Sequence, residues 1–196
     1  MLVFGASASV AVAQSGCGTC TTPTIYETKA PMQGQLTINV TASVAAQCGF
    51  STAPSGTHNE PNFDDHAWTH SFGFALDCSI PARVGVVSTN GGLLLNSAPP
   101  LPTGYTSLAP YSVELNVVRN AGAPANGTCL VADLVSGGTC GFRGPAAVGQ
   151  GLSVPTASNN QPGTFLRVFA PAYTGTDILP NGNYADTLTV TVSPAA

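Results

Sequence analysis

The chain is predicted to be all-β and to form a β-sandwich, and three observations carry that prediction. First, three runs alternate strictly between apolar and polar residues. Leu36, Ile38, Val40, Ala42 and Val44 alternate with Thr37, Asn39, Thr41 and Ser43. Tyr111, Val113, Leu115 and Val117 alternate with Ser112, Glu114 and Asn116. Leu188, Val190 and Val192 alternate with Thr187, Thr189 and Thr191. A period of two places one apolar row on a core face and one polar row on the other. Second, helical spacing is scarce, because 22 Gly, 16 Pro and many β-branched residues interrupt most windows long enough for a helix. Third, turn signals such as Asn90-Gly91-Gly92 and Pro99-Pro100 punctuate the runs.

Taken in order, residues 1–13 are small and apolar, and Ala11-Val12-Ala13 before Gln14 has the form of a cleavage site, so this segment is expected to be a signal peptide. No Lys or Arg precedes Lys29, so the usual positive start is missing. Leu2, Phe4, Ala6, Ala8, Val10 and Val12 also alternate, which suits a strand if the segment is retained. Residues 14–34 read as an N-terminal tail and residues 35–196 as one sandwich domain without repeats or linkers. Further strands are expected at 71–80, with Phe72, Phe74, Leu76 and Cys78 on one face, and at 83–88, 92–95 and 164–170. Residues 144–163 read as loop. Residues 36–44 apart, that makes about six strands, whereas an immunoglobulin-like sandwich has at least about seven. No other segment reaches the ~18 apolar residues of a membrane span, so the protein is not expected to span a membrane.

Composition excludes several function classes. Only 7% of the 196 residues are charged, and the net charge is −4. Lys29, Arg83, Arg119, Arg143 and Arg167 are scattered, so there is no basic stripe for nucleic acid. Cysteines stand at 17, 20, 48, 78, 129 and 140. An even number behind an export signal reads as disulfides formed in an oxidising compartment. Their pairing is open; proximity favours Cys17–Cys20 and Cys129–Cys140, which leaves Cys48–Cys78. The long Cys48–Cys78 loop would be worth roughly 3–4 kcal/mol and the Cys129–Cys140 loop roughly 3 kcal/mol on a chain-entropy basis.

No catalytic set stands out. No G-x-S-x-G is present, and Asp64 and Asp65 are adjacent, which points them apart on a strand. Cys17-x-x-Cys20 lacks a thioredoxin-like βαβ context and reads as a local disulfide, or as a bridge between subunits. No enzyme activity, cofactor or metal is expected. His58, Glu60, Asp64, Asp65, His66 and His70 do fall within thirteen residues, and His58, His66 and His70 are the candidates if a transition metal is held. The plainer reading is a polar surface loop with Trp68 tucked inward.

Several pieces together resemble a known family. Gly34-Gln35-Leu36-Thr37-Ile38-Asn39-Val40 leading to Cys48 is similar to the N-terminal region of spore coat protein U domain proteins, which are related to subunits of archaic chaperone–usher pili. Phe74-Ala75-Leu76-Asp77-Cys78 falls where that family has its partner cysteine. Leu108-Ala109-Pro110-Tyr111-Ser112-Val113-Glu114-Leu115 resembles its strand with a central tyrosine. Gly182-Asn183-Tyr184-Ala185-Asp186-Thr187-Leu188-Thr189-Val190-Thr191-Val192 resembles its closing G-x-Y-x-D-T-apolar pattern. Cys17, Cys20, Cys129, Cys140 and the segment 58–70 depart from the pattern. The resemblance implies an incomplete immunoglobulin-like β-sandwich completed by a donor strand from a neighbouring subunit. It also implies a periplasmic chaperone and an outer-membrane usher as assembly partners, and an extracellular fibre serving adhesion or biofilm formation.

The expected donor strand is residues 35–44, inserting Leu36, Ile38, Val40, Ala42 and Val44. The expected acceptor edge is Leu188, Val190 and Val192, since the chain ends soon after them. Four or five inserted side chains at ~1.5–3 kcal/mol each would contribute on the order of 6–12 kcal/mol before entropic costs. Residues 20–32 are an alternative donor, interrupted by Pro23 and Pro31. The plain alternative is that 35–44 is simply the sandwich's own first strand. Alternative functions are a tip adhesin or secreted coat protein of the same fold, and a small secreted metal-binding protein using the 58–70 loop.

Overall fold

The computed structural model describes residues 45–96 and 100–195. The predicted signal peptide, tail and donor segment lie outside the described residues, as do Cys17 and Cys20. Thirteen strands occur among the described residues: β1 (Cys48–Thr52), β2 (Trp68–Gly73), β3 (Ala75–Cys78), β4 (Ala82–Ser88), β5 (Leu93–Leu95), β6 (Leu108–Ala109), β7 (Ser112–Val117), β8 (Ala125–Leu130), β9 (Leu152–Val154), β10 (Ser158–Asn159), β11 (Phe165–Ala170), β12 (Tyr184–Ala185) and β13 (Leu188–Pro194). The one helical piece among them is a 3-10 turn at Val131–Leu134, so no helix there is long and apolar enough to cross a membrane.

The strands form four antiparallel sheets in the orders β2-β11-β7-β8, β13-β4-β9, β1-β3-β10 and β12-β5-β6. The all-β, sandwich-like class predicted from the alternation is thus observed. Val113, Leu115 and Val117 of β7 and Leu166, Val168 and Ala170 of β11 point into one core, where they meet Ala82, Val84 and Val86 of β4 and Val154 of β9. The intervening residues of β7 and β11 are half-exposed, as a two-residue period requires.

Three expectations are corrected. Residues 71–80 form two strands in different sheets. β2 pairs with β11, whereas β3 pairs with β1 and β10. Phe74 lies between them, and its N–H donates to the Thr164 carbonyl at 3.1 Å. Phe72 and Leu76 therefore serve different sheets although the alternation runs through both. Cys48, which the sequence places at the end of the strand that begins near residue 36, instead opens β1. Finally, residues 144–163 are not all loop, since β9 and β10 lie there as short strands completing two sheets.

Two disulfides fix this arrangement. Cys48–Cys78 joins directly opposed residues of β1 and β3 across 30 positions of sequence, and Cys129–Cys140 ties β8 to the loop beyond the 3-10 turn. β8 also depends on a close approach. A Cβ at Gly127 would sit 3.0 Å from the ring of Phe142, which is itself buried.

Candidate functional site

β13 is the natural starting point, because it combines apolar alternation with a one-sided ladder. It pairs with β4 along its whole length, from Leu188 opposite Ser88 to Pro194 opposite Ala82. Among the described residues no strand pairs with its other edge. β2 is likewise paired only on its β11 side. β1 runs near β13 without forming a ladder with it.

A groove of about 630 Å³ borders these two edges. Leu188 and Val190 of β13, Phe50 of β1, Trp68 and Phe72 of β2, and Leu166 and Val168 of β11 give it an apolar lining. Residues 53–58 also line it. Of the predicted acceptor residues, Leu188 and Val190 line the groove; Val192 packs, half-buried, against the same core. The predicted donor residues Leu36, Ile38, Val40, Ala42 and Val44 lie outside the described residues.

Asp186, also part of the lining, is a polar clamp where the chain turns into β13. Its Oδ2 accepts from Ser88 Oγ at 2.6 Å and from Tyr111 Oη at 2.8 Å. Its Oδ1 accepts from the backbone N–H groups of Asn90 at 3.0 Å and Thr187 at 2.8 Å. Ser88 Oγ accepts in turn from the Gly91 N–H at 2.7 Å, and Gly91 holds a left-handed φ of 73° in the turn after β4. One carboxylate thus fastens the start of β13 to the end of β4 and to β7's flank. Burial, and then the Asp186 charge and hydrogen bond, push the Tyr111 phenol well above the ordinary tyrosine range. Nearby, Tyr184 donates to the Pro180 carbonyl at 2.8 Å and meets Phe63 edge-on at 5.3 Å between centroids.

The three histidines do come together beside the groove, though not as a metal set. His58 Nε2 and His66 Nε2 donate to the two oxygens of Glu60, at 3.0 and 2.9 Å. The hydrogen bond from His66, reinforced by that from His58, holds the Glu60 carboxyl below its usual range. The His58 ring stacks on His70 at 4.1 Å and lies 6.2 Å from Trp68. Among the described residues, no group of three or more His, Cys, Asp or Glu is arranged to hold a metal ion.

The chain matches no family model, no curated protein and no solved structure.

Two residues important to the groove carry little signal in the sequence. Asp186 was visible only as a letter in the closing pattern; its partners Ser88, Asn90 and Tyr111 lie 98, 96 and 75 positions away. Trp68 reads simply as an inward-facing aromatic. In the structure it is 9% exposed, and its indole Nε1 is buried without an acceptor.

Proposed function

We propose that this protein is a structural subunit of an extracellular fibre. It is an incomplete immunoglobulin-like β-sandwich whose groove beside β13 takes a strand from a neighbouring copy. The observation that carries the reading is the apolar groove flanked by two strands, β13 and β2, that are each laddered on one side only among the described residues. A bare strand edge beside apolar side chains invites pairing with another chain. Residues 35–44 would supply a matching partner: they alternate as an inserted strand must, and ten residues, if extended, reach along the seven of β13.

Donation from one copy into the next is head-to-tail, so the contact does not close on itself and a fibre grows. The sequence resemblance to archaic chaperone–usher pilus subunits supports the same reading. It adds a periplasmic chaperone that shields the groove and an outer-membrane usher that exports the fibre. The two disulfides suit an oxidising compartment on that route. Sparse charge suits dense subunit packing. The role is binding and assembly without chemistry, in adhesion or biofilm formation.

Negative-stain electron microscopy of purified full-length protein tests this. Wild type should form thin fibres, and Ile38→Asp should not, because an inserted aspartate would bring an unpaired charge into the groove. Fibres of equal yield from Ile38→Asp contradict donation by this segment, and failure of wild type to form any fibre contradicts the function.

A further inference from the structure

Residues 53–58, in the loop between β1 and β2, form one side of the groove, and little in the backbone holds them there. Among the described residues, no backbone hydrogen bond ties residues 53–61 to the rest of the chain. Side chains do the holding, and they follow one register. A Cβ at Gly56 would stand 3.6 Å from the ring of Phe72. Two residues on, the His58 ring stacks on His70 at 4.1 Å, with 10° between their planes. Gly56 with Phe72 and His58 with His70 make the segment run antiparallel to β2, without a ladder. A segment held by so few contacts opens more readily than a laddered strand.

We propose that the His58–His70 stack is a pH-sensitive latch, which holds residues 53–58 on β2 near neutrality and releases them in acid, so that the groove loses one side. Imidazole is the side chain that changes charge between about pH 5 and 8. The Glu60 carboxylate only accepts, so His58 and His66 each present Nε2–H to it and take their further proton at Nδ1. The carboxylate thereby favours the charged form of His58. Glu60 belongs to the same loop, so it attracts that proton without tying the loop to β2. Among the described residues His70 has no carboxylate partner. Once both stacked rings are charged, like charges face each other across 4.1 Å and repel.

No other group around the pair offsets that repulsion. His70 is the one titratable side chain of β2, and its neighbour on β11 is Val168. β1 and β13 carry none, since Cys48 is bound in a disulfide. Arg167 and Glu114 pair with each other in the alternate row of their strands. In the loop, Asp64 lies beside Tyr184, and Asp65 turns back onto Asn62 through its N–H. Asp186, in the groove lining, already accepts four hydrogen bonds. His58 and Glu60 keep 23% and 25% of their side-chain surface exposed, so protons reach the cluster from solvent. The latch does not require that a strand ever enter the groove.

NMR on full-length protein carrying Ile38→Asp, which stays monomeric on the fibre reading, tests this. Nuclear Overhauser contacts between the His58 and His70 rings, and between Gly56 and Phe72, should be strong at about pH 7.5 and lost at about pH 5. Contacts between β7 and β11 should persist at both. Adding His70→Phe keeps a flat ring against His58 but removes its charge. In that protein the contact between Gly56 and Phe72 should survive at about pH 5. Contacts of 56–58 with β2 that are equal at the two pH values overturn the latch. So does their loss in the His70→Phe protein as well, or a loss in acid that also takes the contacts between β7 and β11, which would be general unfolding. Each of these failures leaves strand exchange standing, since the micrographs test that separately.

Discussion

β4 and β13 lie side by side in one sheet, and each turns a row of apolar residues to the same face. Val84, Val86 and Ser88 of β4 stand directly opposite Val192, Val190 and Leu188 of β13, on the same face. Their fates differ. Val84 and Val86 are completely buried, whereas Leu188, Val190 and Val192 remain half-exposed. The cause is on the far side of each strand. β4 is laddered to β9 over Ala82–Val84 and bonded to the 142–144 segment at Val86, and a Cβ at Gly85 would come within 2.7 Å of the Ala146 nitrogen. β13 has no such neighbour among the described residues. Among the described residues, then, β4 is enclosed from both sides, whereas the alternating row of β13 has a ladder on one side only.

The largest expected effect breaks that comparison directly. Val84→Asp places a charge in a fully enclosed site and should cost more than about 4 kcal/mol, leaving little folded protein. Val190→Asp, one strand over, should cost about 1 kcal/mol and leave a folded monomer that forms no fibres. Urea denaturation and electron microscopy read the two outcomes. Similar losses of stability at both sites would mean that β13 is as enclosed as β4.

A smaller effect concerns the tie between the two strands. Asp186→Ala strands the Ser88 and Tyr111 hydroxyls and two backbone N–H groups, and should lower stability by about 2 kcal/mol. It should also loosen the start of β13, seen as faster amide exchange at Thr189 and Thr191 than in β4. Unchanged exchange there would remove Asp186 as the clamp.

The smallest effect is alkaline. The Tyr111 phenol has a folded-state pKa above its unfolded one, so its contribution is intact below the unfolded value of about 10 and is lost as pH rises from there toward the folded value. Stability should fall by up to about 1.4 kcal/mol per pH unit above that point. Tyr111→Phe should reduce this slope while losing the bond to Asp186. Urea midpoints between pH 9 and pH 11 measure it, and an equal slope in the variant would assign the dependence to another group.

The sequence made the strands with clean alternation legible. β7, β11 and β13 were visible because Val113-Leu115-Val117, Leu166-Val168 and Leu188-Val190-Val192 declare a buried face by themselves. β8 was not, since Ala125-Asn126-Gly127-Thr128-Cys129-Leu130 has no such row and becomes a strand only because β7 is there to pair with it. The change of sheet at Gly73-Phe74 was hidden because alternation continues across it. At the groove, Leu188 and Val190 were legible for the same reason as β13. The Asp186 clamp and the unsatisfied Trp68 N–H were not, because both depend on groups brought together from distant parts of the chain.

The proposed fibre depends on residues 35–44 of another copy filling the groove beside β13. Mixing two full-length variants tests it most directly: Ile38→Asp, which accepts but does not donate, and Val190→Asp, which donates but does not accept. By sedimentation each should be monomeric alone, and the mixture should give one-to-one dimers and nothing longer. Monomers throughout the mixture, or fibres from either variant alone, would contradict the account.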